Sequence, residues 1–364
     1  MLNDTDFQNA LQEQLHWHKA RITFVVAFTL ALFKVTTVNL TRIANAFAGK
    51  ANKASTYRRI QRFFAHFDFD HAAWARLVLK LLPIKGDFVL SIDRTNWRFG
   101  SQDINILMAG IVYKGTAYPL LWMLLPKKGN SNTKERAELI TSLLRLIPAS
   151  LIRAVVADRE FIGKAWFKTF DDEGLPYYIR IRENARVHYR GRSKSAKILF
   201  RDLGPGQARV LRKRRQIYGH WLYVAALRLQ PDQRDQYLIV VSNTSAHAAL
   251  SMYRLRWGIE VLFSSLKKRG FDFERTHMVD PARIKKLTAL LALAFTWAHL
   301  VGQWLSEQEP LVMKNHGYRA RSIFRSGLDH LQHVLLNLVD KRRAFADCLW
   351  VLIWPLLSPQ ITTP

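Results

Sequence analysis

The chain has 364 residues, with 55 Lys or Arg against 28 Asp or Glu, for a net charge of +27 and a sequence pI near 10.5. Half of it (49%) is hydrophobic, which excludes global disorder and is enough for one large domain with an insertion or several smaller ones. A basic excess spread along the whole chain points to a polyanionic partner, nucleic acid ahead of a membrane surface.

The lone cysteine, Cys348, excludes an internal disulfide and a Cys-based zinc finger, as suits a reducing cytosol. Residues 1–14 are polar and acidic, unlike a signal peptide. The apolar runs 22–33 and 287–300 are too short to span a bilayer, so both are expected to be core helices and no membrane association is expected. Residues 1–82 read as a helical DNA-binding region. A helix over 38–47, a break at Gly49–Lys50 and a helix over 55–67 capped by Ser55 outline a helix-turn-helix. On the second helix Arg58, Arg59 and Arg62 share a basic side, and Ile60, Phe63, Phe64 and Phe67 share an apolar one. A small bundle with a solvated basic face fits the same pattern.

Residues 83–182 change texture. Strands are predicted over 87–93, 104–115 and 116–126, then a helix over 132–148, a strand over 152–158, a helix over 163–174 and a strand over 175–182. Three strands, helix, strand, helix, strand predicts an α/β fold. Its sheet is mostly parallel and starts with an antiparallel meander. Residues 183–236 are very basic and lose the helical period, as in an inserted β subdomain. Residues 237–244 return to a buried strand, a long helix covers 246–269, and a helical C-terminal region follows 300.

The long helix carries Tyr253, Arg256, Glu260 and Lys267 on one narrow stripe at 3.6 residues per turn. Leu255, Ile259, Leu262, Phe263 and Leu266 cluster elsewhere and are expected to pack on the sheet. Taken alone, Arg256 and Glu260 are an ordinary i,i+4 pair on a polar face. Two other acids alter that reading. Asp93 and Asp158 each close an apolar strand, where α/β proteins place their sites, although a single Asp after a strand is commonly a turn residue. Three carboxylates supply the oxygen donors that Mg²⁺ or Mn²⁺ requires for phosphodiester chemistry.

Tyr253-x2-Arg256-x3-Glu260-x6-Lys267, with SIDRTNW around Asp93 and ADREFIG around Asp158, resembles the bacterial insertion-sequence transposases of the DDE class that carry the YREK signature. The resemblance covers residues 38–300. It implies a ribonuclease H-like mixed sheet with helices on both faces, a β-rich insertion before the Glu-bearing helix, and helical ends. It implies cut-and-paste transposition by a homodimer on double-stranded DNA, joining transposon terminal inverted repeats to target DNA through a hairpin, in the bacterial cytoplasm at the nucleoid. Asp93, Asp158 and Glu260 would hold two Mg²⁺ ions, with Mn²⁺ substituting. Tyr253, Arg256 and Lys267 would grip phosphates. Trp221, the only tryptophan of the insertion, would stack a flipped base, unless it is a core residue of that subdomain. A metal nuclease without strand transfer and an inactive DNA-binding protein are the competing readings. His16, His18, His66 and His71 lack companions for a metal site. Asp171, Asp172 and Glu173 read as a solvated helix end, and Gly129–Asn130–Ser131 as a turn.

Overall fold

The computed structural model describes residues 1–189, 191–311 and 319–357. Five helices lead: α1 (Asp4–Leu15), α2 (Lys19–Val35), α3 (Leu40–Ala46), α4 (Lys53–His66) and α5 (His71–Leu81). Strands β1 (Phe88–Phe99), β2 (Gln102–Tyr113) and β3 (Thr116–Leu124) follow, then α6 (Thr133–Leu144), β4 (Ile152–Ala157), α7 (Lys164–Asp172) and β5 (Tyr177–Ile181). The basic stretch forms β6 (Arg186–Tyr189), β7 (Arg192–Ser195), β8 (Ala208–Val210), β9 (Arg215–Ile217) and β10 (His220–Arg228). After β11 (Tyr237–Ser242) come α8 (Ala249–Arg254), α9 (Trp257–Leu266), α10 (Pro281–Gln308), α11 (Ile323–Leu336) and α12 (Arg342–Leu357). Two compact units result: a helical unit of Met1–Ile84, Asn96–Ile104 and Leu262–Pro364, and a sheet unit of Lys85–Thr95 and Asn105–Val261.

In the helical unit, capping side chains set the helix starts. Asn39 and Asp70 accept backbone N–H groups at the starts of α3 and α5. The cap of α4 is Asn52 and not Ser55: Asn52 Oδ1 accepts the Ser55 N–H at 2.8 Å, so the helix begins at Lys53. The expected apolar stripe of α4 is buried at Ile60, Phe63 and Phe64, and Phe63 stacks on Phe24 with centroids 4.1 Å apart. α10 is long and apolar enough to cross a membrane, yet 89% of its apolar window is buried inside the protein. It is a core helix, as its sequence predicts. It meets α11 so closely that a Cβ at Gly302 or Gly327 would run into the other helix's backbone.

In the sheet unit the strand order is β3-β2-β1-β4-β5-β11-β10-β9-β6-β7, with β8 paired to β10. β1, β4 and β5 are parallel, while β2 and β3 form the antiparallel meander. This is the mixed sheet expected of the ribonuclease H-like class. The inserted strands do not close on themselves. β10 pairs antiparallel with β11 from Tyr223↔Ser242 to Arg228↔Tyr237, and β11 pairs antiparallel with β5, so the insertion continues the core sheet. α8 covers one sheet face: its Ala249, Met252 and Tyr253 are buried with Val89, Val156, Tyr178, Ala225 and Val240 from five strands.

Candidate active site

The parallel register between β1 and β4 ends at Ile92↔Ala157. Asp93 and Asp158 are the next residue on each strand, so the two acids leave the paired region level with one another. Asp93 does not end its strand, as expected from sequence, because β1 runs on to Phe99 beyond its pairing with β4. The two acids are oriented alike. The N–H of the following residue donates to Oδ1 at 2.7 Å in both, Arg94 for Asp93 and Arg159 for Asp158.

The helix expected over 246–269 is two helices, α8 and α9, broken at Leu255–Arg256. Bonds from Arg256 N to Tyr253 O (3.0 Å) and from Gly258 N to Leu255 O (3.0 Å) tighten the break into a short turn. Gly258 permits it: a Cβ there would lie 2.9 Å from the Thr116 carbonyl carbon at the start of β3. The break also turns Leu255 outward, 37% exposed, whereas Ile259, Leu262, Phe263 and Leu266 are buried as predicted. On the near side of the break, Tyr253 is buried and its hydroxyl donates to Asp158 Oδ1 at 3.1 Å. At the break, Arg256 donates to Glu260 Oε1 at 2.5 Å and to Asp93 Oδ2 at 3.5 Å. Thus Tyr253 and Arg256 each meet one of the paired acids, and Arg256 joins Asp93 to Glu260.

The electrostatics follow from this crowding. Burial pushes the Asp93 carboxyl up to about 6; the Arg94 N–H and Arg256 oppose the rise, while Asp158 and Glu160 add to it. Burial, opposed by Arg256, raises the Tyr253 hydroxyl to about 12, so it is a neutral donor. Burial works against the Arg256 charge, but Tyr253 and Glu260 outweigh it and hold its pKa above the ordinary arginine value. A buried carboxylate destabilised by like-charged neighbours, level with a second one, suits a divalent cation with oxygen donors. Among the described residues no three His, Cys, Asp or Glu side chains gather tightly enough to ligate one ion. Asp93 and Asp158 are brought together, and Glu260 is tied to them through Arg256.

The remaining candidates have other partners. Lys267 follows the last residue of α9 and belongs to the helical unit, where Nζ donates to Asn96 O at 3.2 Å and pairs with Glu274 at 2.8 Å. The helix break separates Tyr253 from Glu260 and Lys267, which stay with α9, so the single stripe of four residues is interrupted between its first member and the rest. Arg58, Arg59 and Arg62 are exposed on α4, with Arg59 lying over the Phe24 ring. Trp221 is 62% exposed on β10, while its neighbour Leu222 is buried, so Trp221 is not a core residue of the insertion. Asp171 is not simply solvated: it pairs with His220 Nδ1 at 2.8 Å and accepts from Asn243.

Sequence reasoning passes over five charged residues around the acids: Arg94, Glu160, Arg159, Asp235 and Arg180. Arg94 forks onto Glu160 through Nε (3.0 Å) and NH2 (3.2 Å), and also donates to Asn105 and Asn130. Arg159 donates to both oxygens of Asp235 at 2.8 Å, and Arg180 shares that carboxylate at 2.7 Å. The Asp-Arg dipeptide is visible in both sequence blocks. The partners of Arg94 and Arg159 lie 66 and 76 residues away, beyond any local pattern.

The model of the family described as "Transposase DDE domain" matches residues 85–297, more than half of the chain. The chain belongs to that family. No curated protein matches it. A solved structure to which it is similar is the piggyBac transposase synaptic complex with hairpin DNA, at a TM-score of 0.46 and 14% identity, covering 98% of this chain and 82% of that one.

Proposed function

We propose that this chain is a DNA transposase that excises and inserts an insertion sequence by cut-and-paste phosphodiester chemistry. One observation carries the reading: the Ile92↔Ala157 register sets Asp93 and Asp158 side by side, and Tyr253 and Arg256 of the signature reach them. Asp93, Asp158 and Glu260 would hold the two Mg²⁺ ions, or Mn²⁺. When bound, such ions activate the attacking oxygen and stabilise the leaving one.

The chain's own groups do the rest. The neutral Tyr253 hydroxyl donates to Oδ1 of Asp158, the same oxygen that accepts the Arg159 N–H. Arg256 stays charged at any working pH, and its buried Nε has no hydrogen-bond partner among the described residues, which suits the side chain to a phosphate oxygen of the DNA end. In this reading Lys267 adds a second cation to the backbone, and Arg58, Arg59 and Arg62 hold duplex DNA of the terminal inverted repeats. Water first displaces the 3′-oxygen at the element's end. The freed 3′-hydroxyl attacks the opposite strand, closing a hairpin that is reopened before joining to target DNA. Exposed Trp221 offers a stacking face for a base displaced during hairpin formation. Action as a homodimer at the bacterial nucleoid belongs to the same proposal.

The test uses labelled terminal-repeat DNA with Mg²⁺ or Mn²⁺, comparing wild type with Glu260→Ala. Expected are metal-dependent end cleavage and hairpins, both lost in the variant while DNA binding survives. Cleavage without joining would indicate a nuclease, and binding with no cleavage under either metal an inactive DNA-binding protein. Trp221→Ala should nick normally yet form fewer hairpins; normal hairpin yields would remove its stacking role.

A further inference from the structure

Each candidate catalytic aspartate is followed by an arginine, and in a chain of charge +27 both arginines invite assignment to DNA. The geometry points to another role: we infer that Arg94 and Arg159 are positioning residues, clamped by Glu160 and Asp235, that orient the Asp93 and Asp158 carboxylates for their shared ligand. This rests on the proposed metal-dependent reaction.

The link runs through the backbone. The Arg94 N–H holds Asp93 Oδ1 and the Arg159 N–H holds Asp158 Oδ1, each at 2.7 Å, so each carboxylate points where the next peptide directs it. A peptide is only as fixed as its side-chain anchor. Arg94 alternates to the opposite sheet face from Asp93 and is caught there by the Glu160 fork. Glu160 reaches that position because β4 gives way to a turn, closed by Phe161 N to Asp158 O at 2.8 Å.

The clamp is itself braced. Glu160 also accepts from Ser131 N (3.3 Å) and Oγ (3.4 Å), and buried Arg136 holds Ser131 through its Oγ (2.8 Å) and carbonyl. Buried Asn105 takes Arg94 NH1 at 2.9 Å and donates to the carbonyls of Lys127 and Gly129. On the other strand Asp235, at the end of the insertion, holds Arg159 and Arg180 together. Arg94, with Nε, NH1 and NH2 all engaged, is not available to DNA phosphates, and Arg159 is held to Asp235 through NH1. Asp-Arg at each strand end is therefore one device used twice: the acid faces the ligand and the arginine locks the peptide that aims it. Outer groups of this kind typically change metal affinity 10- to 100-fold when altered.

The test is Mn²⁺ binding by the full-length protein, followed by electron paramagnetic resonance, with duplex affinity and melting temperature measured alongside. Arg94→Lys keeps the charge but loses the fork. It should weaken Mn²⁺ binding about 10-fold or more, leave duplex affinity within about 2-fold, and raise the Mn²⁺ needed for cleavage. Asp235→Asn should act in the same direction. Should Arg94→Lys not fold, the paired Arg94→Met/Glu160→Leu change, which leaves no charge unpartnered, replaces it. Unaltered Mn²⁺ binding in the folded variants would overturn the inference, as would a loss of duplex affinity matching the loss of activity. If wild-type Mn²⁺ binding were itself indifferent to Asp93→Ala, the metal reading would fail first, and visibly so.

Discussion

The helical unit and the sheet unit bury polar groups in opposite ways. In the helical unit they meet backbone carbonyls one at a time: Trp74 Nε1 donates to Ala289 O (2.9 Å), Trp297 Nε1 to Cys348 O (2.8 Å) and Lys286 Nζ to Phe64 O (2.9 Å). Around them lies aromatic packing, with Phe7 and Phe33 edge-on to Trp297. The sheet unit buries charges against charges around Asp93, Arg94, Glu160, Arg136 and Arg256. The first pattern satisfies polar atoms so that apolar area can be buried. The second costs desolvation of charges, which their mutual pairing offsets only in part.

The comparison breaks most sharply at Asp93. Asp93→Asn should lower end cleavage at least about 1,000-fold, yet leave the melting temperature at pH 8 equal to or above wild type, because the buried charge is gone. A large drop in melting temperature would mean that Asp93 is structural. The mirror case is Trp297→Ala. It should cost about 3–5 kcal/mol, seen as a lower urea midpoint, through loss of the buried indole and of its hydrogen bond to the Cys348 carbonyl.

A mixed outcome is expected for Gly258→Ala. Its Cβ meets backbone at Thr116 and Ala117, which cannot swing aside. About 1–3 kcal/mol of stability should go, and cleavage measured well below the melting point should fall as the start of α9 and Glu260 move. Unchanged cleavage would show that the break need not be so tight.

The smallest effect concerns His71. Burial first, then Lys285, lowers it from 6.5 to about 4, so the fold holds it neutral. A folded pKa below the unfolded one gives stability that is present above pH 6.5 and lost as pH falls through 4. His71→Phe should reduce the acid sensitivity of the helical unit by about 1 kcal/mol, the partly solvated ring being screened. Thermal melts at pH 7.5 and 4.5 give the comparison.

Much of this was legible in the sequence because it rests on local period. The strands around Asp93 and Asp158, the α6 and α7 helices, the buried character of α2 and α10 and the stripe of α4 all follow from spacing of apolar residues. The spacing of Tyr253, Arg256 and Glu260 singled out residues that the structure joins: Tyr253 to Asp158, and Arg256 to Asp93 and Glu260. A uniform 3.6-residue helix, however, could not show the turn at Leu255–Arg256. That turn arises where Gly258 meets the backbone of β3, a contact that no local pattern encodes. Ser55 satisfies the capping rule as well as Asn52, three residues earlier, does, and only the backbone shows that the helix starts at Lys53.

By itself, then, the sequence determined the class of fold, the two aspartates, the signature on the helix and the charge that calls for a polyanion. These depend on composition and on residues within a few turns of one another. Only the tertiary structure decided that Asp93 and Asp158 stand level, that Arg256 links Asp93 to Glu260, and that Arg94 and Arg159 are committed to acids far along the chain. Strand register and long-range ion pairs are settled by closing loops of tens of residues. Their outcome depends on the whole packed unit and not on the residues that meet.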